Sequence, residues 1–212
     1  MHPRDCPSWE YQHHQSYQEL PARCAGILVR LRQGQVNVNG GVRDTRPFHH
    51  VMFVALTPKG CDYFAGHYRG EKYRCLEFYR VMIQGDPRVG TPPETVSLDL
   101  ANFVDHIVRA GLSALHAGFE IPASRLPNED KLIFLVAYAS RVLVEFLRIH
   151  PYANGNGHIA RLIVWMILSK FGYWPRRWPL NTSPPYHQLI FDYRNGNQEP
   201  LERFVLQSII GS

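Results

Sequence analysis

The sequence predicts a mainly α-helical domain. Apolar residues recur at helical spacing in residues 93–117, 132–149 and 161–171. Within the second of these segments, Arg141, Glu145 and Arg148 mark one polar stripe on an otherwise apolar helix. The third segment is apolar on nearly every side, which is typical of a helix buried at the centre of a bundle. Two shorter helices are expected at residues 186–193 and 200–210.

Composition sets limits on the class of protein. The 212 residues, 45% of them hydrophobic, suffice for a domain with a substantial core and argue against a disordered chain. The formal net charge of +5 is spread without a dense basic run, which suits a nucleotide or an acidic partner and ranks nucleic-acid binding third. The apolar segment 132–149 approaches membrane-spanning length, but its polar stripe argues against a transmembrane span. We therefore expect no membrane partner.

Cysteine and histidine usage gives few signals. The four cysteines are widely spaced without a CxxC pattern, so we expect reduced thiols. The N-terminus is polar and lacks the apolar stretch of a signal peptide, which favours a cytoplasmic location. His49, His50 and His67 have no supporting ligands at zinc-site spacing, so we interpret them as surface histidines.

The remaining segments suggest how the chain is organised. Residues 1–45 are polar and irregular apart from a short helix expected near residues 21–33, and we interpret them as an N-terminal arm before a domain at 46–212. Strand-forming residues followed by Gly and Pro turns predict a β-hairpin over residues 78–93. Four prolines in residues 174–185 predict an extended connector.

The most informative stretch lies between the second and third apolar segments. Glycines at positions 155 and 157 allow a ligand to approach the backbone closely, and the amides that begin the next helix form an anion site. A histidine one turn upstream could accept a proton, and an arginine one turn downstream could bind a terminal phosphate. These features together predict a phosphate-binding turn. The stretch consists of His150, Pro151, Tyr152, Ala153, Asn154, Gly155, Asn156, Gly157, His158, Ile159, Ala160 and Arg161.

This stretch resembles the Fic family signature, H-P-F-x-[D/E]-G-N-[G/K]-R-x-x-R. Tyr152 stands in for Phe, while Asn154 and His158 depart from the pattern. The resemblance covers residues 46–210 and implies a Fic-type helical bundle with a small β-hairpin flap, whose place the segment 78–93 occupies. The positions that match the signature are His150, Pro151, Gly155, Asn156, Gly157 and Arg161.

The resemblance also implies an activity. Fic proteins typically transfer AMP from ATP, with Mg²⁺, to a Ser, Thr or Tyr hydroxyl of a target protein and release pyrophosphate. His150 would be the base, and Asn156 with the amides of Gly155 and Gly157 would bind the α- and β-phosphates. Arg161 would hold the outer phosphates. The sequence thus predicts a protein adenylyltransferase with ATP as its substrate.

Three further residues follow from the same resemblance. Tyr186 borders the nucleobase in relatives, where its ring could stack on adenine or simply pack a helix start. Met82 and Ile83 fall on the open edge of the expected flap, which either pairs with an extended target segment or merely covers the core. These residues would position the nucleotide and the target.

The two departures from the signature predict weakened handling of Mg²⁺ and phosphate. Asn154 replaces an acidic residue, and an amide oxygen can bind a metal but brings no negative charge. His158 replaces Arg, and a neutral imidazole weakens a charge-assisted hydrogen bond worth roughly 1.5–3 kcal/mol. Neither change touches the proposed base or the anion site.

The departures leave two alternatives open. One is a catalytically impaired Fic-fold module that binds nucleotide or protein, and the other is a Fic-fold enzyme that transfers another phosphate-containing group. Gly157 argues against the phosphate-transferring branch, which carries Lys there. The inhibitory pattern [S/T]-x-x-x-E-[G/N] does not occur, so a separate inhibitory antitoxin stays open as a partner. The protein would act in the cytoplasm or be delivered into another cell as an effector.

Overall fold

The computed structural model describes residues 6–82, 86–176, 178–181 and 186–211. Helices make up the regular structure of these residues, which confirms the mainly α prediction. Short 3-10 turns at Tyr11–His13, Tyr17–Glu19, Val54–Leu56, Asp62–Phe64 and Pro93–Thr95 add to them. The α-helices are α1 Leu20–Arg32, α2 Val38–Arg43, α3 Arg46–Phe53, α4 Val96–Asn102, α5 Ala110–Glu120, α6 Asn128–Ile149, α7 Asn156–Lys170, α8 His187–Arg194 and α9 Glu199–Ile210.

Helices α6 and α7 form the centre of the bundle, and the signature stretch connects them. α7 packs along α6 on one side and against α2 on another, while α9 packs on α6. Side chains on all faces of α7 are buried, as its apolar sequence predicts, and each large apolar side chain contributes about 1.5–3 kcal/mol by leaving water. No helix in the described part of the chain is both long and apolar enough to cross a membrane. The fully buried side chains of α7 include Ile159, Leu162, Ile163, Val164, Met166, Ile167 and Leu168.

The helix predicted over residues 93–117 runs without a break from Val96 to Glu120. Its middle, Phe103–Arg109, is a π-helix between α4 and α5. The Tyr138 hydroxyl donates to the carbonyl of Val108 at 2.9 Å, and a Cβ on Gly111 would collide with the Tyr138 ring. The π-helix therefore lies next to a close contact between this helix and Tyr138 of α6.

The N-terminal residues share the core of the bundle. α1 confirms the helix expected near residues 21–33 and packs on α3. Trp9, Leu20 and Ile27 are each at most 2% exposed within the common core. The division at residue 45 stays a prediction, but the described part of the arm lies against the domain.

The β-hairpin predicted over residues 78–93 is not present in the described residues. Ile83 lies outside them, and the stretch from Phe78 to Met82 has no regular structure. The amides of Gly90 and Thr91 donate instead to the carbonyls of Arg148 and Ile149 at the end of α6, at 2.9 and 3.2 Å. The strand propensity of this segment is outweighed because the free carbonyls of a helix end take its donors.

Two side-chain expectations were wrong. Cys6 and Cys75 form a disulfide across a sequence separation of 69 residues, whereas Cys24 and Cys61 are free and buried. The pairing escapes sequence inspection because its partners come from distant segments. His49 is fully buried rather than on the surface, and its ring stacks on Tyr152 with centroids 3.7 Å apart.

The proline-rich connector between α7 and α8 has no helix or strand in the residues that the structure describes there, 174–176 and 178–181. Its carbonyl groups turn toward α7: Trp178 accepts a hydrogen bond from the Trp165 indole, and Leu180 accepts from His158 and Arg161. The connector therefore forms one wall of the signature stretch.

Candidate functional site

His150 ends α6 in a left-handed conformation, with φ 54° and ψ 58°. Among the described residues it is the one non-glycine residue with a positive φ. Such a conformation costs an L-residue roughly 1–2 kcal/mol, so the surrounding contacts must stabilise it. Its amide donates to the Phe146 carbonyl at 3.0 Å, and its own carbonyl accepts from the Arg69 Nε at 2.8 Å.

Arg69 is the residue that fixes this turn, and nothing in its local sequence singles it out. The guanidinium is fully buried and donates to the carbonyls of His150, Ile149 and Tyr79 at 2.8, 3.0 and 3.2 Å. Burial lowers the pKa of Arg69 to about 10, so the group stays charged at neutral pH. A permanent cation therefore lies directly behind His150.

The hydrogen bonds of the His150 imidazole define its tautomer. Its Nδ1 lies 3.2 Å from the Leu147 carbonyl and must donate to it, which leaves the lone pair on Nε2. No described residue forms a hydrogen bond with that Nε2. Burial lowers the pKa of His150 to about 4, and the charges of Arg69 and Arg194 add to the effect. The ring is therefore unprotonated at neutral pH, as a general base requires.

The loop that follows is held in shape by Asn156. Its side chain is buried, accepts from the Tyr152 amide and donates to the Tyr152 carbonyl, both at 2.9 Å. Gly155 has φ 78°, and a Cβ there would lie 2.5 Å from Cε2 of Phe53. Asn156 and Gly155 thus serve the loop's geometry first, and the Asn156 side chain is already paired.

His49 supports the same loop from α3. Its Nε2 donates to the Asn154 carbonyl at 3.0 Å, and its Nδ1 accepts from the Gly66 amide at 2.9 Å. Burial lowers its pKa to about 3, so the ring is neutral and each nitrogen has one defined role. This contribution was missed because the sequence offers no signal that His49 faces inward.

The start of α7 is where the sequence predicts an anion site. The amides of Asn156 and Gly157 open the helix and have no hydrogen-bond partner among the described residues. A Cβ added to Gly157 would lie 3.3 Å from Nη1 of Arg161, so that guanidinium lies beside the same turn. Two unpaired amides and a cation thus share one corner.

Arg161 is buried without a carboxylate partner. It is 1% exposed, and no described acidic group lies within ion-pair distance. Nη1 donates to the Tyr186 hydroxyl at 2.9 Å and Nη2 to the Leu180 carbonyl at 3.2 Å, while Nε has no partner. A buried cation is costly when nothing neutralises it, so this site favours an anion.

Tyr186 is joined to that guanidinium rather than standing free. Its ring is buried and packs against Trp178 and Phe204, with centroids 5.9 and 6.1 Å apart. The stacking role on a nucleobase stays a prediction. Met82 is 91% exposed, and its pairing with a target segment likewise stays a prediction.

The two departing positions of the signature are bonded to the N-terminal segment. Asn154 donates from Nδ2 to the Trp9 carbonyl at 2.7 Å and accepts at Oδ1 from the Gly155 amide at 2.7 Å. His158 donates from Nδ1 to the Leu180 carbonyl at 2.6 Å and accepts at Nε2 from the Tyr11 hydroxyl at 2.9 Å. Burial, then the charge of Arg161, lowers the pKa of His158 to about 4. As placed, His158 offers no unpaired donor, and one of the two N–H groups on the Asn154 Nδ2 is taken by Trp9.

The donor set around Asn154 does not fit Mg²⁺. Its amide oxygen already accepts a hydrogen bond, and Mg²⁺ normally relies on at least one carboxylate. In the described part of the chain, no group of three or more His, Cys, Asp or Glu could hold a metal.

Comparison with known protein families gives a match over the signature stretch. Residues 75–168, which contain the whole signature stretch, match the Fic/DOC family. No curated protein is significantly similar to the chain. Residues 75–168 therefore match a Fic/DOC domain, which is consistent with helices α6 and α7 and the stretch between them.

Proposed function

We propose that this protein transfers AMP from ATP to a Ser, Thr or Tyr hydroxyl of a target protein. The observation that carries the proposal is Arg161, a buried guanidinium without a carboxylate, next to the unpaired amides of Asn156 and Gly157. This corner favours a polyphosphate because it combines a permanent cation with the positive end of a helix. The match of residues 75–168 to the Fic/DOC family supports a transferase that acts on proteins.

The amides and the arginine at the start of α7 would bind different phosphates of ATP. The amides at the start of α7 would hold the α-phosphate, and Arg161 would hold the outer phosphates. Bonds to Tyr186 and Leu180 would keep the guanidinium pointed at this corner. Phosphoryl chemistry depends mainly on position and charge, both of which this arrangement supplies.

His150 would act on the acceptor. Its unpaired Nε2 would take the proton of the target hydroxyl as that oxygen attacks the α-phosphorus. The bond between the α-phosphorus and the bridging oxygen then breaks, and pyrophosphate leaves with that electron pair. The proton on His150 returns to solvent, because burial and then the nearby charges of Arg69 and Arg194 disfavour a lasting imidazolium.

One observation favours a second candidate, a module that binds nucleotide or protein without turnover. Asn154 and His158 have their polar atoms engaged by Trp9 and Tyr11, and Asn154 does not provide a metal site. A site in this state would bind phosphate through Arg161 and the amides alone. Transfer of another phosphate-containing group is the remaining alternative within the same fold.

Label transfer separates these functions. Lysate proteins would be incubated with the purified chain and ATP labelled at the α- or the γ-phosphate, with and without Mg²⁺. His150→Ala removes the base, and His106→Ala is the matched control because His106 is exposed and outside the signature stretch. Label from the α-position alone, lost in His150→Ala only, supports adenylyl transfer. Label from the γ-position alone indicates phosphotransfer.

If no label is transferred, ATP binding separates two explanations. If neither label is transferred but ATP binds with an affinity that falls in Arg161→Gln, the binding module is the better description. If ATP does not bind at all, the proposed nucleotide site is wrong.

A further inference from the structure

Both signature positions that depart from the Fic pattern contact one N-terminal segment. We call residues 6–13 the N-terminal strap. Its Trp9 carbonyl accepts from Asn154, and its Tyr11 hydroxyl donates to His158. These partners lie 145 and 147 residues apart in sequence. Two independent contacts to two departing positions point to a shared role for strap and loop.

The strap packs against α3 and the turn that follows it. The Trp9 indole donates to the Leu56 carbonyl at 2.7 Å, and its ring stacks on Phe64 with centroids 5.5 Å apart. The Tyr11 ring lies 4.9 Å from that of Phe53. Trp9 is 2% and Tyr11 7% exposed, so both side chains belong to the core. A segment held in this way excludes other ligands from the atoms it contacts.

The Cys6–Cys75 disulfide anchors the first residue of the strap. Cys6 lies three residues before Trp9 and is bonded to Cys75. A covalent tie raises the effective concentration of a segment at its docking site. A dithiol reductant would open the bond: its thiolate attacks one sulfur, and its second thiol releases the mixed disulfide, which leaves two cysteine thiols and the oxidised reagent.

We infer that Trp9 and Tyr11 control access to the phosphate site, because the strap occupies polar atoms of Asn154 and His158, the two signature positions that the Fic resemblance assigns to Mg²⁺ and phosphate. This inference rests on the proposed function. One of the two N–H groups on the Asn154 Nδ2, a donor that suits a phosphate oxygen, is bonded to the Trp9 carbonyl. The Tyr11 hydroxyl gives its proton to His158, so that this ring nitrogen cannot donate to a phosphate. Strap and nucleotide therefore compete, and the Cys6–Cys75 bond favours the strap.

The competition explains why both departures occur together. An acidic residue at position 154 would repel the Trp9 carbonyl instead of donating to it. An arginine at position 158 could not accept the proton of the Tyr11 hydroxyl, because guanidinium has no acceptor. Asparagine and histidine each provide the atom that the strap requires. The two replacements are thus fitted to this segment of the chain.

ATP binding to the full chain, measured by calorimetry, tests the inference. Tyr11→Phe removes one hydroxyl and should raise ATP affinity about fivefold, the equivalent of one hydrogen bond of about 1 kcal/mol. Cys6→Ser, or the wild type with dithiothreitol, should raise it about tenfold or more. Tyr17→Phe and Cys61→Ala are the matched controls and should change little, because Tyr17 bonds to neither position and Cys61 is outside the disulfide.

A second readout reports on the strap without any nucleotide. Chymotrypsin cleavage after Trp9 or Tyr11 should be slow in the oxidised protein and faster after reduction, and added ATP should accelerate it. If reduction exposes the strap while ATP affinity stays equal or falls, competition is wrong and the strap instead completes the site.

The two proposals fail in different ways. Unchanged affinity in all strap variants, with AMP transfer intact, overturns the inference and leaves the proposed function standing. A rise in affinity without any label transfer supports the inference and overturns adenylyl transfer. Absence of ATP binding in every form overturns both.

Discussion

The Nε of Arg69 donates to the carbonyl of His150 at 2.8 Å, and this bond joins a residue far outside the signature to the one that would act as the base. The same guanidinium takes the carbonyls of Ile149 and Tyr79. A helix end leaves its last carbonyls unpaired, and here a single planar group with five donors satisfies two of them. The left-handed turn at His150 therefore depends on Arg69.

Replacing Arg69 should damage both stability and activity. Arg69→Met leaves the carbonyls of His150 and Tyr79 without a donor, whereas Ile149 keeps the Thr91 amide. Each buried unpaired group costs about 1–3 kcal/mol, so we expect a loss of about 2 kcal/mol or more. Urea unfolding measures the change. Arg74→Met is the matched control because Arg74 is exposed. A loss similar to that of the control would mean that His150 is held by other contacts.

Arg161 should behave in the opposite way. Arg161→Met removes a buried charge that lacks a carboxylate, so we expect the free energy of unfolding to change by only about 1 kcal/mol in either direction. Tripolyphosphate should raise the melting temperature of the wild type but not that of the variant. A large loss of stability together with intact stabilisation by tripolyphosphate would show that Arg161 is a structural residue.

These two arginines show which contacts the sequence can predict and which it cannot. Arg161 belongs to a local motif, so its place beside the first turn of α7 followed from spacing. Arg69 acts on groups 80 and 81 residues away, and no local pattern announces such a contact. The helices were predictable for the same reason as Arg161, because the spacing of apolar residues in α6 and α7 reports directly on the faces they bury.

The errors arose where distant groups outcompete local preference. Strand-forming residues near Phe78 predicted a hairpin, but the carbonyls at the end of α6 take the amides of Gly90 and Thr91, and Arg69 takes the Tyr79 carbonyl. From the sequence alone, Asn154 and His158 indicated only weaker binding of Mg²⁺ and phosphate, because their partners Trp9 and Tyr11 lie at the other end of the chain.

Buried histidines should make stability depend on pH. Burial lowers the pKa of His150 and His158 to about 4 and that of His49 to about 3, below the ordinary value of 6.5 in the unfolded chain. Between pH 6.5 and 4 the unfolded state therefore binds more protons, and stability falls as pH falls through this window. Unfolding at pH 5 should take up about three protons from these groups.

Urea unfolding at several pH values between 7 and 4.5 gives this proton uptake from the slope. His158→Gln should reduce the slope by about one proton, whereas His13→Gln should leave it unchanged because His13 is exposed. A pH-independent free energy of unfolding in this range would mean that the three rings are accessible to water. His150 should stay unprotonated down to about pH 4, so the transfer activity should persist to a lower pH than an ordinary histidine base would allow.

Restoring both departing positions should change how the site handles Mg²⁺ and ATP. Asn154→Asp adds the carboxylate that Mg²⁺ prefers, and His158→Arg adds a permanent cation for phosphate. Both changes also break the contacts with Trp9 and Tyr11, because a carboxylate cannot donate to the Trp9 carbonyl and a guanidinium cannot accept from the Tyr11 hydroxyl. We therefore expect the double variant to bind ATP more tightly with Mg²⁺ than with EDTA, and to transfer label faster. Each single variant serves as a control for the pair. If the double variant instead loses an activity that the wild type has, Asn154 and His158 are suited to a reaction of their own, and the site is not an impaired version of the family's.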